Sequence, residues 1–493
     1  MSVEAHKGVS SLKTEAANAI PTIPALETQN QKFRIAIVGG GICGLALAAG
    51  LCKLPHVDAS VYEAVPENKD VGAGLALHLN AINAMASIGP EVRQAYFDKA
   101  TNMGEEEDEM VTEVILAHGP HVGELVAQLG RAKGRKSTSR ADLLEGLLEL
   151  VPSECINFNK KLRSIREIYA GVVLTFEDGT TATADCVFGA DGIHSLVRRY
   201  VLGHQHPAAT PKNHDKWQVY RTLVSIEQAR ECVNEKWTRN VPILLGPRGH
   251  INCIPLNKGT RLSAGVAVRG AALSPDGGSA RSLDPDLFAD YSEDAQQVVR
   301  MVARDTSASW SVGDHDHAPS YIKGRVAVIG DAAHASLPFA GNGAAQALED
   351  AAVLCHVFRE LHAADTNVIR VMDAVGRMVE KKDLIHAIMH AYNHVRLPRS
   401  QAVVDLARKF GRMYAYAEDG LHEDPQKMKA FFADAARFTN DFDIDGQNTQ
   451  ASVAFRSFID SKAAARERFW EVGRHDDRGI QTPSALASTI GSG

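Results

Sequence analysis

A glycine-rich turn between an apolar strand and an apolar helix constrains this chain more than any other feature. The stretch RIAIVGGGICGLALAAGLCKLPHVDASVYEA, residues 34–64, predicts a buried strand over 34–38, a helix rich in Ala and Leu, and a second strand that ends at Glu63. Residues 35–52 are uncharged over nearly the ~20 residues of a membrane span. The clustered glycines favour a strand–turn–helix unit instead.

Three of these glycines have the GxGxxG spacing of a βαβ unit that binds a dinucleotide. Gly39 permits the tight turn, Gly41 lets the backbone approach a pyrophosphate, and Gly44 lets the helix pack close to the strand. Glu63 follows Gly44 by 19 positions, where a carboxylate accepts hydrogen bonds from the adenosine ribose. These residues predict a site for FAD or NAD, and they do not choose between the two.

A second helix carries an arginine where the helix dipole disfavours a cation. In RKSTSRADLLEGLLEL, residues 135–150, the leucines have helical spacing and Arg140 stands in the first turn. A pyrophosphate beside Arg140 would remove the conflict. The alternative is a surface ion pair with Asp142 or Glu145, and this stretch alone does not decide between them.

An Asp-Gly pair follows the apolar strand in ADCVFGADGIHSLVRRY, residues 184–200. Asp191 and Gly192 are residue types that favour turns, so a structural role explains this stretch by itself, and only the accompanying motifs indicate a functional role.

One carboxylate also interrupts the stretch VIGDAAHASLPFAGNGAAQALEDA, residues 328–351. Asp331 ends a predicted strand, where it is free to accept a hydrogen bond from a hydroxyl-rich ligand chain or to act as a helix cap. Gly341 and Gly343 precede a predicted long helix, and glycines at a helix N terminus let a planar ring approach a positive dipole end.

Composition limits the partners and the compartment. The 493 residues suffice for two or three domains, and a formal charge of −7 gives no reason to expect nucleic acid or an anionic membrane as a partner. The seven cysteines are scattered without disulfide or zinc spacing, so we expect no metal site and a reduced, cytoplasmic location. The first 32 residues lack the apolar segment of a signal peptide and predict a flexible extension.

Taken in order, these motifs resemble the signature of single-component FAD-dependent aromatic monooxygenases. The resemblance covers residues 33–400 and is closest to the salicylate hydroxylase-like branch, near the fungal phenol-dearomatising monooxygenases. It implies FAD as cofactor and NADPH or NADH as cosubstrate, without a separate nicotinamide domain. It also implies that Arg140 contacts FAD, that Asp331 binds the ribityl chain, and that Asp191 and Gly192 serve both FAD and nicotinamide. The expected cofactor contacts are Gly39, Gly41, Gly44, Glu63, Gly74, Arg140, Asp191, Gly192, Asp331, Gly341, Gly343 and Ala344.

The stretch 217–268 alternates as in an antiparallel sheet and includes an arginine among apolar residues. WQVYRTLVSI places Trp217, Val219, Arg221 and Leu223 on one face. In the resembling dearomatising enzymes an arginine at the matching position holds the substrate phenolate, so Arg221 is the predicted catalytic residue. A structural ion pair or a snorkelling side chain is the alternative.

The next strand departs from the dearomatising relatives. HINCIPL places His250, Asn252 and Ile254 on one face, and Ile254 stands where those relatives have a substrate-orienting tyrosine. Tyr220, His250 and Asn252 are candidates for a polar contact, with a structural role as the alternative for each.

The predicted fold class is α/β. It combines a Rossmann-like FAD-binding domain over residues 33–105, 131–210 and 311–395 with an antiparallel-sheet substrate domain over 106–130 and 211–310. A helical C-terminal region follows at 396–493 and includes Arg396 and Arg399.

The predicted function is an NAD(P)H-using monooxygenase that hydroxylates a small phenolic substrate with O₂ through a C4a-hydroperoxyflavin, as a monomer or homodimer. Ortho-hydroxylation, decarboxylative hydroxylation of a salicylate and dearomatisation all fit the sequence. A flavin-dependent epoxidase or oxidase of a non-phenolic substrate, and a non-catalytic FAD-fold binding protein, are the alternatives.

Overall fold

The computed structural model of the protein describes residues 32–66, 74–100, 111–129, 137–256, 259–271, 282–304, 308–361 and 371–476. Residues 1–31, the bulk of the expected N-terminal extension, lie outside these ranges. The strands within the described residues are β1 (Phe33–Val38), β2 (Val57–Tyr62), β3 (Gly74–Ala76), β4 (Thr112–Leu116), β5 (Leu125–Leu129), β6 (Ser137–Ser139), β7 (Ile156–Asn157), β8 (Leu162–Ile168), β9 (Gly171–Phe176), β10 (Thr181–Ala184), β11 (Cys186–Gly189), β12 (Lys212–Ser225), β13 (Val241–Gly246), β14 (Gly249–Leu256), β15 (Arg261–Val268), β16 (Ala308–Asp314), β17 (Ile322–Lys323) and β18 (Val326–Val328). The helices are α1 (Ile42–Leu51), α2 (Leu79–Ile88), α3 (Pro90–Lys99), α4 (Arg140–Leu148), α5 (Leu196–Leu202), α6 (Ile226–Cys232), α7 (Glu293–Ala303), α8 (Asp331–His334), α9 (Gly343–Arg359), α10 (Lys381–Tyr414), α11 (Pro425–Asn440) and α12 (Ile444–Asp476).

The predicted βαβ unit forms the centre of a six-stranded sheet. The strand order is β17-β18-β11-β1-β2-β7, and β1 pairs in parallel with both β11 and β2. Five of the six residues of β1 are buried, as expected for a parallel strand covered on both faces. All ten residues of α1 are buried, which explains why this helix is apolar on every side.

A seven-stranded sheet forms the second large sheet of the fold. Its order is β16-β12-β15-β14-β13-β4-β5, and each pair is antiparallel except β13 with β4. One face packs against α7, whose buried residues include Val298, Val299 and Val302. The other face packs against the end of α10 and against α11. The α/β fold class with its antiparallel second sheet is therefore confirmed.

Two smaller sheets are also found among the described residues. Strands β8, β9 and β10 form an antiparallel sheet, and β3 pairs with β6. The 34-residue helix α10 contains Pro398 and passes from the core of the six-stranded sheet to that of the seven-stranded sheet. The domain boundary expected after residue 395 lies inside this helix, and the boundary expected after residue 310 lies inside β16. Among the described residues, we find no helix with the length and apolar composition to cross a membrane.

Candidate active site

The glycine turn after β1 is closed on one side and open on the other. Gly39 has a φ of +108°, and a Cβ at this position would overlap the carbonyl oxygen of Ala190. A Cβ on Gly44 would likewise overlap the carbonyl oxygen of Gly39, so α1 packs directly on the turn. At Gly41, by contrast, the nearest atom to an added Cβ is Nη2 of Arg140, at 3.8 Å. The turn therefore leaves free space beside a guanidinium.

A cavity of about 550 Å³ occupies this space. Its lining includes Gly39, Gly41, Glu63, Arg140 and the pair Asp191–Gly192, so the structure brings together residues from four separate segments. The N terminus of α1 faces the turn with Gly41 as its N-cap residue, and no side chain caps it. An uncapped helix N terminus beside an arginine fits the pyrophosphate of a dinucleotide such as FAD.

Glu63 fixes the turn and faces the same cavity. Its Oε2 accepts a hydrogen bond from the Gly40 backbone N–H at 2.6 Å, and its Oε1 accepts from the Val65 N–H at 3.0 Å. Each carboxylate oxygen has two lone pairs. Glu63 can therefore hold the turn and still accept hydrogen bonds from ribose hydroxyls.

Asp191 has the structural role in a turn that its Asp-Gly pair allows. Its carboxylate accepts hydrogen bonds from Ser195 Oγ at 2.5 Å and from the backbone N–H groups of Leu196 and Val197, so it closes the turn that begins α5. Burial raises the pKa of Asp191, although these hydrogen bonds act in the opposite direction. The adjacent Gly192 has a φ of +72° and free space where a Cβ would lie. Both residues line the nucleotide cavity, and their predicted cofactor contacts stay a prediction.

Asp331 opens the single-turn helix α8, and its side chain is exposed. The preceding Gly330 has a φ of +58°, and a Cβ there would lie 2.9 Å from Cβ of Cys43 in α1. Burial raises the pKa of the Cys43 thiol, and the charges of Asp350 and Asp331 raise it further. The turn that precedes Asp331 therefore packs directly against α1.

A buried arginine in α5 anchors α8. Arg198 in α5 is fully buried, and its Nη1 donates to the carbonyl oxygens of Ala332 and Ala333 in α8. Its Nε donates to the carbonyl of Ala208 at 2.6 Å, and its Nη2 to that of Asp316 at 3.1 Å. Burial lowers the pKa of Arg198 to about 10. This side chain thus connects the Asp191 segment to the Asp331 segment.

The two glycines at the start of α9 leave an open surface. Gly341 has a φ of +60°, and the nearest atom to an added Cβ is Nε2 of His78, at 3.6 Å. At Gly343 the nearest atom is Oγ of Ser336, at 3.9 Å. This backbone has room for the close approach of a planar ring, as a flavin ring requires.

Gly74 connects the nucleotide side to the substrate side. It pairs with Ser139, the N-cap residue of the helix that begins at Arg140. A Cβ on Gly74 would lie 3.0 Å from Cγ2 of Ile254 in β14. Ala344, the other expected contact, is half-buried in the first turn of α9.

The register of the seven-stranded sheet brings Arg221 and Asn252 into one row. Gly265 in β15 is opposite Arg221 of β12 on one side and Asn252 of β14 on the other. An added Cβ on Gly265 would lie 2.6 Å from Oδ1 of Asn252, so the Asn252 amide extends over the glycine. Arg221 and Asn252 are both half-buried, and the Arg221 guanidinium lies 5.1 Å from the centre of the Trp310 ring.

Tyr220 and His250, the other candidates for a polar contact, lie on opposite faces of this sheet. Tyr220 packs in the core on the α7 side, away from Arg221. His250 is buried on the same face as Asn252 and Ile254, with its ring centre 4.9 Å from that of Phe339. The structure therefore leaves His250, and not Tyr220, near the predicted substrate face.

Sequence reasoning did not predict the charged network beneath α9. Arg396 in α10 pairs with Glu349 and Asp350, at 2.6 Å each, and Arg399 pairs with Glu349 at 3.2 Å. Asn80 in α2 donates to Glu349 at 2.8 Å. Burial would raise the pKa of Glu349, but the two arginines hold it below its usual value. Two adjacent carboxylates in the apolar helix sequence QALEDA are the signal that indicates such a partner.

Comparisons with known proteins match most of the chain. A family model described as an FAD binding domain matches residues 32–369. The chain is 34% identical to a 6-methylsalicylate 1-monooxygenase of Aspergillus terreus over 457 residues, which cover 90% of this chain and 97% of the relative. It is 29% identical to a salicylate hydroxylase of Pseudomonas putida over 87% of this chain and 96% of the relative. A solved substrate complex of salicylate hydroxylase superimposes with a TM-score of 0.70 at 28% identity, over 85% of this chain and 98% of that chain.

Proposed function

Because this chain belongs to the family of FAD-dependent monooxygenases, we propose that it hydroxylates a phenol of the salicylate type, with a hydroxyl and a carboxylate on adjacent ring carbons. Membership of this family confirms the predicted cofactor FAD and the predicted monooxygenase activity on an aromatic substrate. When bound, FAD supplies the redox chemistry, taking electrons from NAD(P)H and passing them to O₂.

The proposed substrate class is inferred from the row formed by Arg221, Gly265 and Asn252. A cation and an amide stand on either side of a residue that has no side chain. Neighbouring strands lie about 4.8 Å apart, so this gap is roughly 10 Å from strand to strand. A small anionic ring that binds beside this row can present one substituent to the guanidinium and the other to the amide.

The residues of this row act on the charge and the orientation of the phenol. A guanidinium beside a phenolic hydroxyl lowers its pKa, and the resulting phenolate is the electron-rich form that an electrophilic oxygen attacks. Asn252 donates to or accepts from the second substituent and fixes the ring in one orientation. Ile254 adds apolar contact and no hydroxyl, so it lacks the group with which a tyrosine orients the substrate in the dearomatising enzymes.

The nucleotide cavity, together with the turns at Asp331 and Gly341 outside its lining, would hold the cofactor. The N terminus of α1 and Arg140 bind the pyrophosphate, Glu63 accepts from the ribose, and Asp331 accepts from the ribityl hydroxyls. The backbone at Gly341 and Gly343 would leave room for the flavin ring at the N terminus of α9, and the dipole of this helix would stabilise negative charge on the ring.

A panel of matched ring compounds tests the function. We would compare salicylate and 6-methylsalicylate with phenol and benzoate, each of which lacks one of the two substituents. The measurements are stimulated NADPH oxidation and the gain of one oxygen atom in the product, with or without loss of CO₂. Oxygen transfer to the salicylates alone is the expected result. Oxygen transfer only to non-phenolic compounds would favour an epoxidase, and a purified protein without flavin or NADPH oxidation would favour a non-catalytic role.

The Arg221→Met variant tests the predicted catalytic residue. It should keep bound FAD and lose coupling between NADPH oxidation and hydroxylation, because the phenol is no longer held as its anion. Arg230→Met, in the exposed helix α6, is the matched control. Normal coupling in Arg221→Met would refute the assignment.

A further inference from the structure

Three polar atoms near the substrate face are buried without a hydrogen-bond partner. They are Nε1 of Trp217, Nδ1 of His250 and the hydroxyl of Tyr414, and none has a partner among the described residues. The residues are 0%, 7% and 1% exposed, respectively. An unsatisfied buried polar group costs about 1–3 kcal/mol, so three in one place point to a ligand that satisfies them.

The three side chains and Phe339 form one cluster of ring contacts, in which His250 contacts the other three rings. The ring centre of Phe339 lies 4.5 Å from that of Trp217 and 4.9 Å from that of His250. His250 and Tyr414 are 4.9 Å apart, and Trp217 and His250 are 6.1 Å apart, again between ring centres. Phe339 belongs to the turn that ends at Gly341, where the flavin ring is proposed to lie. The three unpaired atoms therefore belong to side chains of one cluster, which Phe339 connects to the turn at Gly341.

This cluster continues the row of Arg221 and Asn252 toward the interior. His250 precedes Asn252 by two residues on the same face of β14, about 7 Å along the strand. Asn252 is half-buried, whereas His250 is buried. The substrate face thus runs from an accessible end with a cation to an enclosed end with three neutral groups. An aromatic ring with substituents on opposite sides can reach both ends.

The chemistry of the cluster selects an uncharged hydrogen-bond acceptor. Trp217 can only donate, and Tyr414 can donate or accept. Burial lowers the pKa of His250 to about 3 and raises the pKa of Tyr414, so both side chains are neutral at physiological pH. A carboxylate at this position would be buried without a countercharge, which is strongly unfavourable. A carbonyl oxygen can accept from two donors at no such cost.

We propose that Trp217, His250 and Tyr414 form a second subsite of the substrate pocket, which holds a neutral carbonyl oxygen on the aromatic substrate. The inference rests on the proposed function, because the anionic end of the same ring lies at Arg221. It narrows the substrate class to salicylate-type phenols that carry an additional acyl substituent, a ketone, aldehyde or ester.

Pairs of acetyl- and ethyl-substituted salicylates test the subsite. The two members of a pair have nearly the same shape and differ in the carbonyl oxygen, and the substituent is moved around the ring. Dissociation constants come from flavin absorbance changes on titration of the holoprotein, and kcat/KM from coupled NADPH oxidation. For at least one ring position, the acetyl compound should bind roughly tenfold or more tightly than its ethyl partner.

Variants then assign the preference to these residues. Tyr414→Phe removes one hydroxyl, and His250→Leu removes the imidazole; each should reduce the acetyl-to-ethyl ratio about fivefold or more. His250→Asn keeps a donor near the position of Nδ1 and should retain part of the ratio. Tyr220→Phe removes a hydroxyl from the opposite face of the sheet and should leave the ratio unchanged.

The outcomes separate this inference from the proposed function. Equal binding of acetyl and ethyl partners at every position, or an unchanged ratio in Tyr414→Phe and His250→Leu, overturns the subsite. Acetyl preference in binding without oxygen transfer contradicts the proposed function and supports the subsite. Oxygen transfer without acetyl preference supports the proposed function and contradicts the subsite.

Discussion

Nε of Arg396 lies 2.6 Å from Oδ1 of Asp350, and neither side chain is exposed to solvent. The other oxygen of Asp350 accepts a hydrogen bond from the Gly330 backbone N–H and lies 2.7 Å from Nε2 of His334. Burial would raise the pKa of Asp350, but His334 and Arg396 lower it to about 2. One carboxylate thus joins α10 to the turn that presents Asp331.

The Arg396→Met variant should lose about 3–5 kcal/mol of unfolding free energy, because two buried carboxylates lose their shared cation. Urea denaturation of the holoprotein measures the change. Arg239→Met, at an exposed pair with Glu235, should cost less than about 1 kcal/mol. Equal losses in the two variants would show that the buried network contributes nothing beyond an ordinary surface pair.

The Arg198→Met variant should weaken FAD binding about tenfold, which corresponds to about 1.4 kcal/mol. The reason is that α8 loses its donors at Ala332 and Ala333, so Asp331 is held less firmly. FAD release from the holoprotein can be followed by the fluorescence of free FAD. Arg166→Met, on the exposed side of β8, is the control and should release FAD at the wild-type rate. A wild-type rate for Arg198→Met would contradict the anchoring role.

Two glycine-to-alanine variants in the same turn should behave differently. Gly39→Ala places a Cβ against the Ala190 carbonyl at a φ of +108°, so it should lower the melting temperature with or without cofactor. Gly41→Ala has room for its Cβ, with Nη2 of Arg140 at 3.8 Å, and should fold normally but bind FAD more weakly. Thermal unfolding and FAD titration distinguish the two effects. Normal FAD affinity in Gly41→Ala would argue against a pyrophosphate at this position.

The neutral state of His250 predicts a pH dependence of stability. Burial lowers its pKa from 6.5 to about 3, so between these values the unfolded chain binds more protons than the native protein. Stability is therefore fully present above about pH 6.5 and falls as the pH decreases toward 3. Between pH 7 and pH 5 this histidine should account for about 2 kcal/mol of lost unfolding free energy.

Urea denaturation of wild type and His250→Asn at both pH values measures this contribution. His315 is also buried, with a pKa lowered to about 3, so the variant should keep part of the dependence and lose the share of His250. Identical losses in the two proteins would show that His250 is not held neutral by burial.

The sequence predicted the features that local chemistry determines. The βαβ unit, the turn glycines and the alternation of Trp217, Val219 and Arg221 follow from spacing along one strand or one turn. Gly41 and Arg140, nearly one hundred residues apart, were assigned to one site through family resemblance, and the structure places them side by side.

Contacts between elements that are far apart in the sequence could not be predicted from local patterns. Asp191 is a turn-closing residue because its carboxylate meets the amides of α5, which the Asp-Gly pattern does not specify. Trp217 and Tyr414 are close only because the end of α10 packs on the seven-stranded sheet. Pro398 lies inside α10, where a proline usually breaks a helix, yet packing on both sides keeps α10 continuous.

Helix α10 also constrains the number of residues between two of its contacts. It supplies Arg396 to the charged network under the cofactor turn and Tyr414 to the cluster beside Phe339, 18 residues further along the same helix. At a rise of 1.5 Å per residue the two positions are about 27 Å apart. Inserting or deleting a single residue between them would rotate one end by about 100° relative to the other and uncouple two sites at once. Descendants of this sequence should therefore vary in composition along this segment while keeping its residue count.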